Sequence, residues 1–185
     1  MSCKWNWRAV SAVALLAALA WPVAAMPPGL PEPARRAVPD ARAIGSGTLR
    51  WLGFHVYDAT LWTSGAAWSE SARFALDIRY ARSITGGALA TTSVGEMRRM
   101  DLGSEDQLQR WGQAMSRIFP DVAPGDRLIG INLPGRGAAF YSAERLLGHI
   151  DDAQFARAFF AIWLDGRTRE PDLRATLLGG HGRSR

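Results

Sequence analysis

Apolar and polar residues alternate without a break from Arg73 to Ala81, with Phe74, Leu76, Ile78 and Tyr80 on one face and Ala75, Asp77 and Arg79 on the other. A period of two predicts a half-buried antiparallel strand. Two more strands are predicted before it. Ala43–Arg50 is interrupted by Gly45 and Gly47, and Gly53–Thr63 carries Phe54, Val56, Tyr57, Leu61 and Trp62. Large apolar groups on both faces of the second mean that it is covered on both sides, or that one face lines a cavity. The period then changes. Residues 86–101 read as a helix, and Ser104–Phe119 as a stronger one, with Leu108, Trp111, Met115 and Ile118 on one stripe. Ser104 and Gln107 have the spacing of a capping box, and Pro120 stops the helix. Asp126–Leu133 and Ala138–Ser142 are predicted strands joined by Pro134-Gly135-Arg136-Gly137. Asp151–Leu164 is the second strong helix, with Asp151 and Gln154 as its cap pair and Phe155, Ala158, Phe159, Ile162 and Trp163 as its stripe. A last short helix starts at Pro171 and stops at Gly179-Gly180. Strands first, then helices mixed with a hairpin, give an α+β fold: an antiparallel sheet with helices packed on one face.

Residues 1–25 follow another pattern. Lys4 and Arg8 precede an apolar run from Ala9 to Ala20, then Pro22 and the small residues Val23-Ala24-Ala25. This is the layout of a cleavable secretory signal, and the run is too short for the ~20 residues that span a bilayer. The expectation is export to the periplasm, cleavage after Ala25, and no stable membrane insertion afterwards. Residues 26–42 are rich in proline and read as an extended leader, 43–180 as a single domain, and 181–185 as a basic tail.

Charge and composition narrow the chemistry. Removing the signal takes away Cys3, the only cysteine, and leaves 20 arginines against 17 acidic residues, a net charge of +3. Disulfides, thiol catalysis and thiolate metal sites are thereby excluded from the exported part. Its arginines are scattered rather than gathered in a stripe, which argues against a nucleic-acid partner. The chain has no dinucleotide-binding, phosphate-loop, zinc-protease, serine-hydrolase or paired-cysteine motif. His55, His149 and His181 are far apart in sequence, so neither a metal nor another cofactor is called for. Four side chains stand out. Glu96, beside Thr91, Thr92 and Ser93, is either a general base or a helix-surface charge paired with Arg99. Arg50, ahead of the apolar strand, either holds a carboxylate or phenolate bidentately or is an ordinary edge-strand arginine, and Arg82 has the same two readings. Tyr57 joins them as a catalytic or ligand-binding candidate.

The stretch from Gly45 to Trp62 resembles the opening of the chalcone isomerase-like family in its bacterial exported branch. Phe74–Tyr80, Ile118–Val122 with Gly125–Leu128, Phe140-Tyr141, Leu147–Ile150, and Phe155–Leu164 with Thr168 follow in the family's order. The resemblance covers roughly residues 43–178. It implies a sheet with helices against it and a ligand cleft between them. In plant members the cleft closes a flavanone ring without a cofactor, using an Arg, a Thr, a Tyr and an Asn. Relatives of the same fold bind fatty acids through an Arg and a Tyr, without catalysis. In this chain Arg50 is a neighbour of the plant Arg position, Leu52 stands at the Thr position, and Ile84–Thr92 has neither the Tyr nor the Asn. Three functions follow as expectations. The first is a non-catalytic binder of a small amphipathic acid such as a fatty acid. The second is an intramolecular lyase using Glu96, Arg50 and Tyr57. The third is an envelope interaction module presenting Trp62 and Trp68.

Overall fold

A computed structural model describes residues 29–180. The predicted signal peptide and basic tail lie outside the described residues. Six strands run in chain order across one antiparallel sheet: β1 Arg42–Trp51, β2 Phe54–Thr63, β3 Phe74–Tyr80, β4 Arg127–Leu133, β5 Gly137–Tyr141 and β6 Leu146–Ile150. Five helices accompany them: α1 Glu32–Ala37, α2 Gly86–Arg99, α3 Glu105–Ile118, α4 Ala153–Leu164 and α5 Pro171–Leu177. The α2–α3 pair is inserted between β3 and β4, and α4 and α5 follow the sheet.

The predicted α+β architecture is the observed one, and four helices share a single face. Leu61, Phe74, Leu76 and Phe140 from the sheet meet Met97 of α2, Met115 of α3, Phe155 and Phe159 of α4, and Leu177 of α5 in the main core. Aromatic rings carry much of the contact. Phe140 sits edge-on to Phe119 at 4.9 Å and to Phe159 at 5.1 Å, and Phe74 meets Phe160 at 4.8 Å. Such edge-to-face pairs contribute about 0.5–1.5 kcal/mol each beyond their buried area.

The caps explain where the helices begin. Ser104 and Gln107 make both halves of the predicted capping box on α3. On α4 the cap is Asp152, one residue later than the sequence pattern placed it. Its Oδ1 accepts from the N–H groups of Gln154 and Phe155 at 2.8 and 3.1 Å. Oδ2 accepts from Trp111 Nε1 at 2.8 Å, which ties α4 to α3. Both helix backbone and core tryptophan thus select Asp152 over Asp151.

The described part of the predicted extended leader contains α1, a single helical turn and a half. Leu30, Ala34 and Val38 are buried against Trp62, Ala75, Ile129, Ile131 and Ala139, on the opposite face of the sheet from the other helices. The polar face expected for β3 is therefore covered as well. Asp77 lies buried there and pairs with Arg127, whose Nε is 3.0 Å from Asp77 Oδ1. The same cover buries Trp62, which therefore offers no interaction surface, while Trp68 packs half-buried beside the main core.

Candidate functional site

Strand parity decides what enters the space between sheet and helices. The inward positions of β1 are odd. Gly45 and Gly47 lie beneath α5: a Cβ at Gly45 would stand 2.0 Å from the Thr176 carbonyl oxygen, and one at Gly47 would stand 2.4 Å from Thr176 Oγ1. Their missing side chains let the helix backbone settle on the strand. Further along the same face, Leu49 and Trp51 line a cavity of about 530 Å³. On β2 the register shifts. Leu49 pairs with Tyr57 but Arg50 pairs with His55, leaving Val56 as an extra residue. A bulge of this kind re-aims side chains, and both Val56 and Tyr57 reach the cavity.

The remaining walls come from Ile78 and Tyr80 of β3, Leu128 of β4, Leu89 of α2, and Phe159, Ile162 and Trp163 of α4. Most of this lining is apolar. At its polar end stand Thr92, Ser93 and Glu96 of α2 with Thr168, Arg169 and Glu170 from the turn between α4 and α5. The volume falls within the range of about 300–1,000 Å³ typical of small-molecule sites, and apolar walls with a few polar groups are their usual make-up.

Two phenols give the apolar part its hydrogen-bonding capacity. The Tyr57 hydroxyl oxygen accepts from Trp163 Nε1 at 2.8 Å, which leaves its own O–H free to donate. Tyr80 packs edge-on against Tyr57 with ring centroids 6.1 Å apart. Its hydroxyl makes no hydrogen bond to another described residue. Burial pushes the Tyr57 phenol up to about 12, against a smaller lowering by its Trp163 hydrogen bond. Burial, with Tyr57 nearby, raises Tyr80 further. Both therefore remain neutral donors at ordinary pH.

The polar end is different. Glu96 Oε2 accepts from Arg99 Nε at 2.9 Å, and its Oε1 lies 3.1 Å from Arg169 Nε. Arg99 also donates to the Arg167 carbonyl at 3.1 Å, fastening α2 to the turn after α4. Glu170 is held above the usual carboxylate range, first by desolvation and then by Asp172 and Glu96.

Of the four residues singled out in the sequence, the structure brings Tyr57 and Glu96 to the cavity. Glu96 has the helix-face pairing with Arg99 that was its alternative reading. Arg50 is on an even position of β1 and faces away, with Nη1 3.4 Å from the Gly53 carbonyl oxygen. Arg82 lies over the outer end of β2: its Nε donates to the His55 carbonyl at 3.1 Å, and its guanidinium is 4.8 Å from the Phe54 ring centre. Neither lines the cavity. The lining residues not singled out include Trp51, Tyr80, Trp163, Thr168, Arg169 and Glu170. Tyr80 and Trp163 were legible as inward positions of their elements. Nothing in the pattern marked the turn at 168–170 as part of a site.

The sequence profile described as chalcone isomerase-like matches residues 45–179. The chain belongs to the chalcone isomerase-like family. It is 35% identical over 137 residues to an uncharacterized protein of Haemophilus influenzae, covering 74% of this chain and 67% of that one. In structure it is similar to a fatty-acid binding protein of Arabidopsis thaliana, with a TM-score of 0.58 over 76% of this chain and 88% of that one. Sequence identity to the plant protein is 10%, so the likeness is one of fold. The cavity of this family member lies between sheet and helices, as the resemblance implied. Among the described residues no three His, Cys, Asp or Glu side chains gather as a metal-binding group. Nor is any described helix long and apolar enough to cross a membrane.

Proposed function

We propose that this chalcone isomerase-like protein holds a small amphipathic acid, a fatty acid among those that fit, in the cavity between its sheet and α2–α4, without transforming it. The observation that carries this reading is an apolar cavity of about 530 Å³ with Tyr57 and Tyr80 in its lining. Its apolar walls match an acyl chain. Two neutral O–H donors among apolar walls match an oxygen acceptor, and hydrogen bonds to a carboxylate are about twice as strong as neutral ones. The fatty-acid binding protein of the same fold adds support.

The lyase reading has less to stand on. Among the lining residues the one cation is Arg169, and it is engaged by Glu96. Polarising a carbonyl needs preorganised donors aimed at the developing charge, and the arginine first suggested for that role, Arg50, faces away. We further propose that the protein works in a bacterial periplasm after export, on the strength of the charged, apolar and small-residue blocks within 1–25.

Native mass spectrometry of protein purified without detergent tests the binding reading. The expected result is a co-purified acid of lipid mass, together with a rise in melting temperature when fatty acids of increasing chain length are added. Absence of both would end it.

A further inference from the structure

The turn between β1 and β2 is built against the ordinary rules for a hairpin tip. Trp51 pairs with Phe54, leaving Leu52-Gly53 as a two-residue loop. Both loop residues have positive φ, 49° at Leu52 and 80° at Gly53, the pattern of a type I′ turn. Asn or Asp is the preferred first residue of that turn, because left-handed backbone disfavours larger side chains. Leucine occupies it here and is 77% exposed, with Trp51 69% and Phe54 59% exposed beside it. Neither turn geometry nor solubility accounts for three adjacent large apolar side chains in water.

The charges around the tip have one sign. Arg50 and Arg82 flank it, with Arg82 lying over Phe54. From Arg42 to Tyr57 the chain has no acidic residue. The first one, Asp58, accepts from Thr48 Oγ1 at 2.6 Å and lies 3.0 Å from His55 Nε2. On the helical side of the cavity, Glu96 sits against Arg99 and Arg169, so the lining there holds two arginine contacts to Glu96 and one further carboxylate, Glu170. Trp51 is both an exposed tip residue and part of the cavity lining, so whatever receives the tip also meets the cavity mouth.

We propose that the Trp51–Phe54 tip inserts into the interfacial region of an anionic lipid bilayer and sets the cavity mouth against it, so that an amphipathic acid passes between bilayer and cavity. The second half of this statement rests on the ligand reading above; the docking itself does not. Aromatic side chains favour the headgroup level, exposed apolar side chains gain by leaving water, and each arginine near an anionic surface contributes an attraction equivalent to about fivefold in partition.

Co-sedimentation with vesicles decides the matter. One set is an equal mixture of phosphatidylcholine and phosphatidylglycerol, and the other is phosphatidylcholine alone. The full chain is compared with Leu52→Asn/Phe54→Ser and with Arg50→Gln/Arg82→Gln in the same full chain, so that other segments contribute equally. The apolar-tip variant should lose about tenfold or more in partition. The arginine variant should lose about fivefold per arginine on the anionic vesicles and little on the neutral ones. Leu52→Asn alone should melt no lower than the parent, since asparagine suits the turn better; a tip kept for folding would melt lower. Unchanged sedimentation of the apolar-tip variant, or no binding by the parent, would overturn the proposal. So would a dimer that the tip substitutions dissolve, which would assign the tip to a second copy of the chain. The thermal shift with fatty acids is measured on the same proteins. Its absence alongside normal vesicle binding would remove the ligand reading and leave the docking. A normal shift without vesicle binding would do the reverse.

Discussion

Tyr57 links the parts of the site that other residues hold separately. It is placed by a β-bulge, capped by the indole of Trp163, and packed on Tyr80. Replacing it with Phe removes the acceptor for Trp163 Nε1 and one of the two phenolic donors while keeping the ring. Leaving a buried N–H unsatisfied costs about 1–3 kcal/mol, so the melting temperature should fall. Affinity for a carboxylate ligand should also drop about tenfold, the share of one hydrogen bond to a charged group. A thermal melt reads the first effect and titration calorimetry the second. Equal affinity in Tyr57→Phe would mean that the acid head lies elsewhere, with Tyr80 and, at the polar end, Arg169 as the remaining candidates. The same residues show what was legible. Tyr57 and Glu96 were recognisable from their neighbours, Tyr57 within a strand apolar on both faces and Glu96 beside the hydroxyls of Thr91, Thr92 and Ser93. Arg50 was misleading because its strand was recognised but its parity could not be anchored: the bulge at Val56 and the glycines at 45 and 47 blur the alternation on both strands.

Those glycines read in the sequence as interruptions of a strand, and in the fold they are the seat of α5. A methyl at Gly45 would meet the backbone oxygens of Thr176 and Leu177 at 2.0 and 2.5 Å, and backbone cannot rotate away as a side chain can. Gly45→Ala should destabilise the protein by about 3 kcal/mol, since overpacking costs roughly 1–3 kcal/mol and the clash here is with main chain. Hydrogen exchange should show the loss concentrated in α5 and β1. Uniform loss across the sheet would mean that α5 is not a separable unit. Elements with a long clean period, such as β3, α3 and α4, were readable to within a residue or two. Two were not. β6 is five residues with Gly148 and His149 in its middle, where Gly148 makes room for Ile118 of α3. Its alternation is broken for a packing reason that only the fold reveals. α1 has six residues among prolines, below any helical period that can be counted, and it forms because the outer face of the sheet needs Ala34 and Val38. Helices on one face were expected from the order of the elements, and the stripes of α3 and α4 fit a single core. The cover on the other face carries no stripe.

At the scale of the whole molecule, composition simplifies the alkaline limit. Residues 26–185 have no lysine and no cysteine, so tyrosine is the side chain left to titrate between neutral pH and the arginine range. Tyr57 is raised from an ordinary value near 10 to about 12, and Tyr80 is raised further, both chiefly by burial. A group whose folded value lies above its unfolded one stabilises the fold fully below the unfolded value. That contribution is lost as pH climbs toward the folded value. Stability should therefore be flat up to about pH 10 and then decline by about 1.4 kcal/mol per pH unit for each of the two phenols. Because both phenols belong to the cavity wall, ionising either one means opening the sheet–helix interface, so ionisation and unfolding are one event. An ultraviolet titration of tyrosinate, run alongside far-ultraviolet circular dichroism, separates the alternatives. Two of the three tyrosines should ionise only together with loss of secondary structure, and Tyr57→Phe should flatten the decline by one phenol's share. If all three ionise while the sheet remains intact, water reaches the cavity freely. The pocket would then be a wet cleft rather than the apolar site that the ligand reading needs.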